Sequence, residues 1–104
     1  MNNIKPYIVK HLEASTIHIT ETDNSLLNKI ASHCEESILS VESTMYGYII
    51  HIDEELEKCI IVLDEEGFSI SFCNLLRLAE ENKCIYLTLD CDGYMYDKLP
   101  TFDW

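Results

Sequence analysis

The spacing of apolar residues along the chain predicts two helices. From Thr20 to Glu36, apolar residues recur every three or four positions, as on one face of an amphipathic helix. The same spacing recurs from Ser69 to Asn82. Thr20 with Asp23 fits a capping box, and Ser69 is a favourable N-cap residue. The two segments are therefore interpreted as helices with defined starts.

Short alternating or apolar runs predict strands around these helices. The apolar run KCIIVLD at 58–64 indicates an interior strand, so residues 45–63 are interpreted as a hairpin with the loop DEELE at 53–57. The element order β-β-α-β-β-β-α-β-β predicts a single α+β domain over 1–104, with two helices packed on a largely antiparallel sheet. The predicted strands are 7–12, 14–20, 38–42, 45–52, 58–64, 85–90 and, after a DCDG turn, 94–97.

Charge narrows the choice of partner. The chain has 19 acidic and 7 basic residues and a net charge of −12, and residues 53–104 hold most of the acids. This balance argues against direct binding to nucleic acid and to an anionic membrane. No apolar run approaches the ~20 residues of a membrane span, and the amino terminus does not resemble a signal peptide. We therefore expect an acidic cytoplasmic protein whose partner has a basic surface.

The sequence offers little support for catalysis, a cofactor or a metal. It has no G-x-S-x-G, phosphate loop or G-x-G-x-x-G, so we expect no catalytic residues and no cofactor. The five cysteines form no CxxC, and the acidic runs lack calcium-loop spacing, so we expect reduced thiols and no metal. One enzymatic alternative uses His18, which we otherwise interpret as a strand histidine bonded to neighbouring threonines.

The acidic clusters differ in how well local structure explains them. The acids at 64–66 precede a predicted helix, where negative charge is favourable, and those at 90–92 suit a turn. The four acids at 53–57 repel one another without such a reason. They either form a solvated face or imitate phosphates and occupy a basic groove.

Aromatic residues add a second candidate contact surface. Tyr94 and Tyr96 share one face of the last predicted strand, and we expect Phe102 and Trp104 to fold back over the sheet. Tyrosine is enriched at protein interfaces, although paired tyrosines also stabilise sheets. The predicted partner-binding residues are Asp53, Glu54, Glu55, Glu57, Asp64, Glu65, Glu66, Asp90, Asp92, Tyr94 and Tyr96.

Four segments resemble a known family in the same order. They are ASTIHITE at 14–21, YGYIIHI at 46–52, NLLRLAEENKCIYLTLDCDG at 74–93 and LPTFDW at 99–104. The family is a domain of unknown function that is common on plasmids and integrative elements, often near antirestriction genes. The chain departs from its pattern at Ile17, where alanine is usual, and at Lys83, where glycine is usual. It is also similar to small acidic anti-CRISPR proteins that act on type II RNA-guided nucleases.

These resemblances imply a non-catalytic inhibitor in a bacterial host. It would bind a basic surface of a type II effector nuclease and block guide RNA assembly or DNA target recognition. The alternative is a plasmid accessory or toxin–antitoxin-associated module that binds an unrelated host protein. In that case residues 94–96 and the LPTFDW tail would matter more than charge.

Overall fold

A computed structural model of the protein describes residues 3–32 and 37–104. Its four strands form one mixed sheet in the order β1-β4-β3-β2, in which β1 is parallel to β4 and the other pairs are antiparallel. The elements are β1 (His11–Ser15), a 3₁₀ turn (Thr16–His18), α1 (Glu21–Ala31), β2 (Val41–Ser43), β3 (Gly47–His51), α2 (Leu56–Glu66), α3 (Ile70–Glu81) and β4 (Tyr86–Asp90).

All three helices pack on one face of the sheet. Alternate residues of the two central strands, Tyr48 and Ile50 on β3 and Leu87 and Leu89 on β4, are buried in the same core as the helices. The residues between them lie on the opposite face, which is open to solvent or partly exposed. The predicted α+β class is therefore confirmed, with a third helix and with one parallel strand pair in a sheet whose other two pairs are antiparallel.

The predicted helix starts are confirmed. Thr20 and Asp23 form a reciprocal capping box at α1, and the Ser69 hydroxyl accepts the backbone N–H of Phe72 at α3. The predicted stop of α3 is also correct, since Asn82 is its C-cap. The predicted end of the first helix, near Glu36, lies outside the described residues.

The predicted interior strand at 58–64 is wrong, because these residues belong to α2. Leu56, Cys59, Ile60 and Leu63 are buried at positions i, i+3, i+4 and i+7, which is the spacing of one helical face. A short run that is apolar throughout does not distinguish a strand from a buried helix. Gly67, at φ 103°, ends α2 in the left-handed conformation that suits glycine.

The hairpin predicted at 45–63 is consequently absent. Strand β3 pairs with β2 on one side and β4 on the other. Residues 53–55 lead from β3 into α2 and do not form a hairpin loop.

Four other predicted strands need correction. Of the run 38–42, only Val41 and Glu42 belong to β2. The run 7–12 contributes only its last two residues to β1, and Tyr7 and Ile8 are exposed. The segment 14–20 leaves the sheet after Ser15 and forms the 3₁₀ turn. Residues 94–97 form no strand, and pairing with β4 is excluded because both edges of β4 are already occupied by β1 and β3. Over the described ranges, no helix is long and apolar enough to cross a membrane.

Candidate partner-binding surfaces

The acids at 53–57 have local structural roles, contrary to the sequence interpretation. They lead into the N-terminus of α2, where the helix dipole favours negative charge. An oxygen of Asp53 accepts the N–H of Glu55 at 2.7 Å, and Glu55 forms an ion pair with Lys58. Glu57 accepts two hydrogen bonds from Arg77, each 3.0 Å long. The hydrogen bond from Arg77 lowers the pKa of Glu57.

The acids at 64–66 precede α3, as predicted, but they also form the last turn of α2, a helix that the sequence analysis did not predict. Asp64, Glu65 and Glu66 occupy the last turn of α2, which contains no basic residue, and all three are exposed. The C-terminal end of a helix disfavours negative charge. These carboxylates therefore lie at the unfavourable end of α2, unlike the acids at 53–57.

The acids at 90–92 form the predicted turn. The carboxylate of Asp90 accepts the N–H of Asp92 at 2.7 Å, and the N–H of Gly93 donates to the Asp90 carbonyl at 2.9 Å. Ligand atoms of Asp90, Cys91 and Asp92 lie within 4.8 Å of one another, which is close enough for a metal ion. The bond to Asp92 nevertheless gives the Asp90 carboxylate a sufficient role in the turn.

The predicted acids do not form one patch. His51 pairs with Tyr86 at one end of the central strands, and Gly47 pairs with Asp90 at the other end. Four residues of strand separate these ends by about 13 Å. The 53–57 cluster follows the first end, whereas Asp90 stands at the second. The two ends of α2 are likewise about 15 Å apart.

The two predicted tyrosines have different roles. Their rings form an edge-to-face pair with centroids 4.7 Å apart, but they lie on an irregular segment and not on a strand. The Tyr96 hydroxyl donates to the carbonyl of Glu13 at 2.7 Å, and burial raises the pKa of Tyr96. Tyr94 is exposed, so of the pair it is the one with more surface available to a partner.

Both ring nitrogens of His18 are bonded to distant backbone groups. Nε2 accepts the N–H of Tyr96 at 2.9 Å, so the proton lies on Nδ1, which donates to the carbonyl of Pro100 at 2.8 Å. The neighbouring threonines are not its partners, contrary to the sequence interpretation. Because both nitrogens are engaged inside the fold, neither is left for proton transfer to a substrate.

The C-terminal tail folds back along residues 15–19. The N–H of Phe102 donates to the carbonyl of Ile17 at 2.8 Å, and the indole N–H of Trp104 donates to the carbonyl of Ile19 at 2.9 Å. On the other side, the N–H of Cys91 donates to the carbonyl of Tyr46 at 2.9 Å. Parts of all four segments that carry the family resemblance therefore meet at one end of the sheet.

Comparison with known proteins identifies the family. Residues 11–104 match the C-terminal domain of a family of unknown function, DUF5983. The chain belongs to this family. Searches of curated proteins and of solved structures found no match.

Two adjoining clefts open where the DUF5983 segments meet. They have volumes of about 380 and 310 Å³, share Thr16, Cys91 and Trp104, and are together called the motif cleft. Although the protein is strongly acidic, none of the described residues that line the larger cleft has a charged side chain. Exposed Tyr46 lines the larger cleft and exposed Met95 the smaller. The larger cleft is lined by Thr16, Asn24, Asn28, Ser43, Thr44, Tyr46, Gly47, Tyr48, Cys91 and Trp104.

Sequence reasoning did not single out Tyr46 and Met95 as parts of one surface. The available signal was the family resemblance, since both residues lie within or between the matching segments. Their proximity depends on the return of the tail to residues 15–19, which no local pattern specifies.

Proposed function

We propose that this DUF5983 domain is a non-catalytic anti-defence inhibitor carried by a mobile element. Its target is a basic surface of a type II CRISPR effector nuclease in the bacterial cytoplasm. Binding blocks guide RNA assembly or DNA target recognition, and the carboxylates in the last turn of α2 supply the contact. The proposal combines the family resemblance with the charge distribution of the fold.

The observation that supports the contact surface is the exposed triad at 64–66. Three carboxylates at the C-terminal end of a helix, without a base in that turn, have a local energetic cost. A basic surface would offset this cost, and it would also accelerate association in a manner that falls with salt. Effector nucleases hold nucleic acid in positively charged channels, which present the required charge.

The test measures binding to a type II effector and inhibition of its DNA cleavage, with and without guide RNA, over a range of salt. The informative variant is Asp64→Lys/Glu65→Lys. Its control is Glu13→Lys/Glu42→Lys, because Glu13 and Glu42 are exposed on the sheet strands away from α2. Both variants change the net charge from −12 to −8.

We expect the α2 variant to lose affinity at least tenfold and the control to lose much less. Equal losses would mean that only net charge matters, and absence of a salt-sensitive complex would reject the proposal. Reversal of Glu57 is a poorer test, since it also breaks the contact with Arg77.

A second candidate function rests on the motif cleft. Here the domain binds a host protein unrelated to nucleic acid, as a plasmid accessory or toxin–antitoxin-associated module. Tyr46, Met95 and Trp104 are exposed around the motif cleft, in which Asp103 is the one charged side chain among the described lining residues, and aromatic and methionine side chains are enriched in protein interfaces.

Point substitutions separate the two candidates better than removal of LPTFDW, because the tail is bonded to residues 17–19. Under the first candidate, Tyr46→Ser/Met95→Ser retains inhibition of the effector. Under the second, the same variant loses its partner and reversal at 64–65 has little effect. A salt titration of each complex supplies an independent comparison.

A further inference from the structure

The α2–α3 hairpin carries a groove outside the motif cleft. The two helices run antiparallel, since residues 67–69 join them at one end and Arg77 contacts Glu57 at the other. A groove of about 310 Å³ lies between them. Ile61 and Ile70 line this α2–α3 groove and are 62% and 75% exposed. Both isoleucines are therefore accessible to a partner side chain that enters the groove.

The unpaired charges in the groove are negative. Asp64, Glu65 and Arg77 line it. Arg77 is paired with Glu57, whereas Asp64 and Glu65 have no ion-pair partner among the described residues. The bases within the two helices are Lys58 and Arg77, and both are engaged by glutamates. The groove therefore combines exposed isoleucines with uncompensated negative charge.

We propose that the α2–α3 groove binds a basic segment of the partner protein. One aliphatic or aromatic side chain of that segment inserts between Ile61 and Ile70, and adjacent lysines or arginines lie against Asp64 and Glu65. This inference rests on the proposed function for the identity of the partner and adds the chemistry by which the partner is recognised.

Charge complementarity favours this occupant over a second copy of the chain. A copy brings a net charge of −12 to an acidic rim, and the resulting repulsion opposes association. A purely polar basic loop would satisfy the carboxylates but leave both isoleucines in water. A basic segment with an apolar anchor satisfies both features of the groove.

The test uses methyl NMR of the full chain with two synthetic probe peptides of equal length and charge, one of lysine and leucine and one of lysine and serine. We expect the lysine–leucine peptide to shift the methyl signals of Ile61 and Ile70 and the lysine–serine peptide to leave them nearly unchanged. Ile61→Ser is expected to weaken binding of the first peptide about tenfold. Ile38→Ser is the matched control, since Ile38 is exposed outside the groove.

Each remaining outcome contradicts either the groove proposal or the proposed function. Equal responses to the two peptides would indicate nonspecific attraction, and shifts confined to other residues would place the site elsewhere. Dimerisation of the chain in sedimentation, lost in Ile61→Ser, would identify a second copy as the occupant. If Ile61→Ser leaves effector binding intact, the groove inference fails while the proposed function stands. If the peptide binds and the effector does not, the proposed function fails instead.

Discussion

The buried carboxylate of Asp23 accepts two hydrogen bonds from Ser69, which lies 46 residues later in the chain. The Ser69 backbone N–H donates at 2.8 Å and its hydroxyl at 2.6 Å. The same carboxylate accepts the N–H of Thr20 at 2.9 Å, and the Ser69 hydroxyl accepts the N–H of Phe72 at 3.1 Å. One side chain thus joins the N-termini of α1 and α3.

Removal of this link is expected to destabilise the fold. Asp23→Ala loses the carboxylate half of the capping box of α1 and leaves the half-buried donors of Ser69 without an acceptor, so the free energy of unfolding should fall by about 3 kcal/mol. Ser69→Ala should cost about 1–2 kcal/mol. Urea denaturation of both single variants and the double variant measures their coupling, which we expect to be about 1 kcal/mol or more.

The matched control is Glu55→Ala. Glu55 is the N-cap of α2, but its side chain makes no capping hydrogen bond. Its exposed ion pair with Lys58 is worth at most about 1 kcal/mol. Strict additivity of the Asp23 and Ser69 effects would contradict the proposed link.

The caps were predictable, and the link between them was not. Thr20 with Asp23 is a pattern that spans three residues, and Ser69 precedes a clear helical stripe. The contact between Asp23 and Ser69 depends on how α1 and α3 pack. The sequence contains no local signal for such a pairing.

The incorrect prediction of a strand at 58–64 also affected the interpretation of the acidic clusters on either side of it. The apolar run from Cys59 to Leu63 fits either a strand or a buried helix, and the strand choice left the acids at 53–57 in a loop. Because the run is a helix, the acids at 53–57 lie at its N-terminus, where the helix dipole favours negative charge. The acids at 64–66 lie at its C-terminus, where the dipole disfavours negative charge. The same residues therefore remain candidates, but the secondary structure changes which of them the local fold stabilises.

His18 should be a single neutral tautomer with its proton on Nδ1. Its Nε2 faces the N–H of Tyr96 and its Nδ1 faces the carbonyl of Pro100, so the other tautomer would lose both bonds. Long-range ¹H–¹⁵N correlation spectra distinguish the tautomers directly. Spectra that place the proton on Nε2 in the folded protein would contradict this arrangement.

Substitution of His18 should also release the tail. We expect His18→Ala to cost about 2–4 kcal/mol, because it opens a cavity and leaves the Tyr96 N–H without its acceptor. Hydrogen exchange at Tyr96 and Phe102 should accelerate more than exchange in β3. His51→Ala, at an exposed strand position, is the control and should change stability by less than about 1 kcal/mol.

Two glycines permit close approach of backbone segments. A Cβ at Gly47 would overlap the carbonyl oxygen of Leu89, and a Cβ at Gly93 would lie 2.6 Å from the carbonyl oxygen of Ala14. At Gly67 a Cβ has space, with its nearest neighbour 3.8 Å away, and only the positive φ opposes it.

We therefore expect Gly47→Ala and Gly93→Ala to lower the free energy of unfolding by about 2–3 kcal/mol, since the backbone must shift. Gly67→Ala should cost about 1 kcal/mol. Thermal and urea denaturation of the three variants rank their losses of unfolding free energy. A larger effect at Gly67 than at Gly47 would show that backbone conformation, and not strand spacing, dominates.

The thiol of Cys59 should make stability depend on alkaline pH. Burial, reinforced by the negative charge of Asp53, raises the pKa of this thiol from 9.0 to about 11. The folded state therefore retains a proton that the unfolded state releases. This contribution to stability is fully present below pH 9 and is lost as the pH rises through 11.

We expect the free energy of unfolding to decline from pH 9 to pH 11, with Cys59 contributing at most about 1.4 kcal/mol per pH unit. Cys59→Ala should be less stable at neutral pH but should show a shallower decline, because the linked proton is gone. Cys91→Ala should retain the original slope, since Cys91 is exposed. Burial also raises the pKa values of Cys73, Tyr48 and Tyr96, which leaves a common background slope in every variant. If the free energy of unfolding falls with pH equally steeply in the unsubstituted protein and in Cys59→Ala, this thiol does not retain its proton in the folded state.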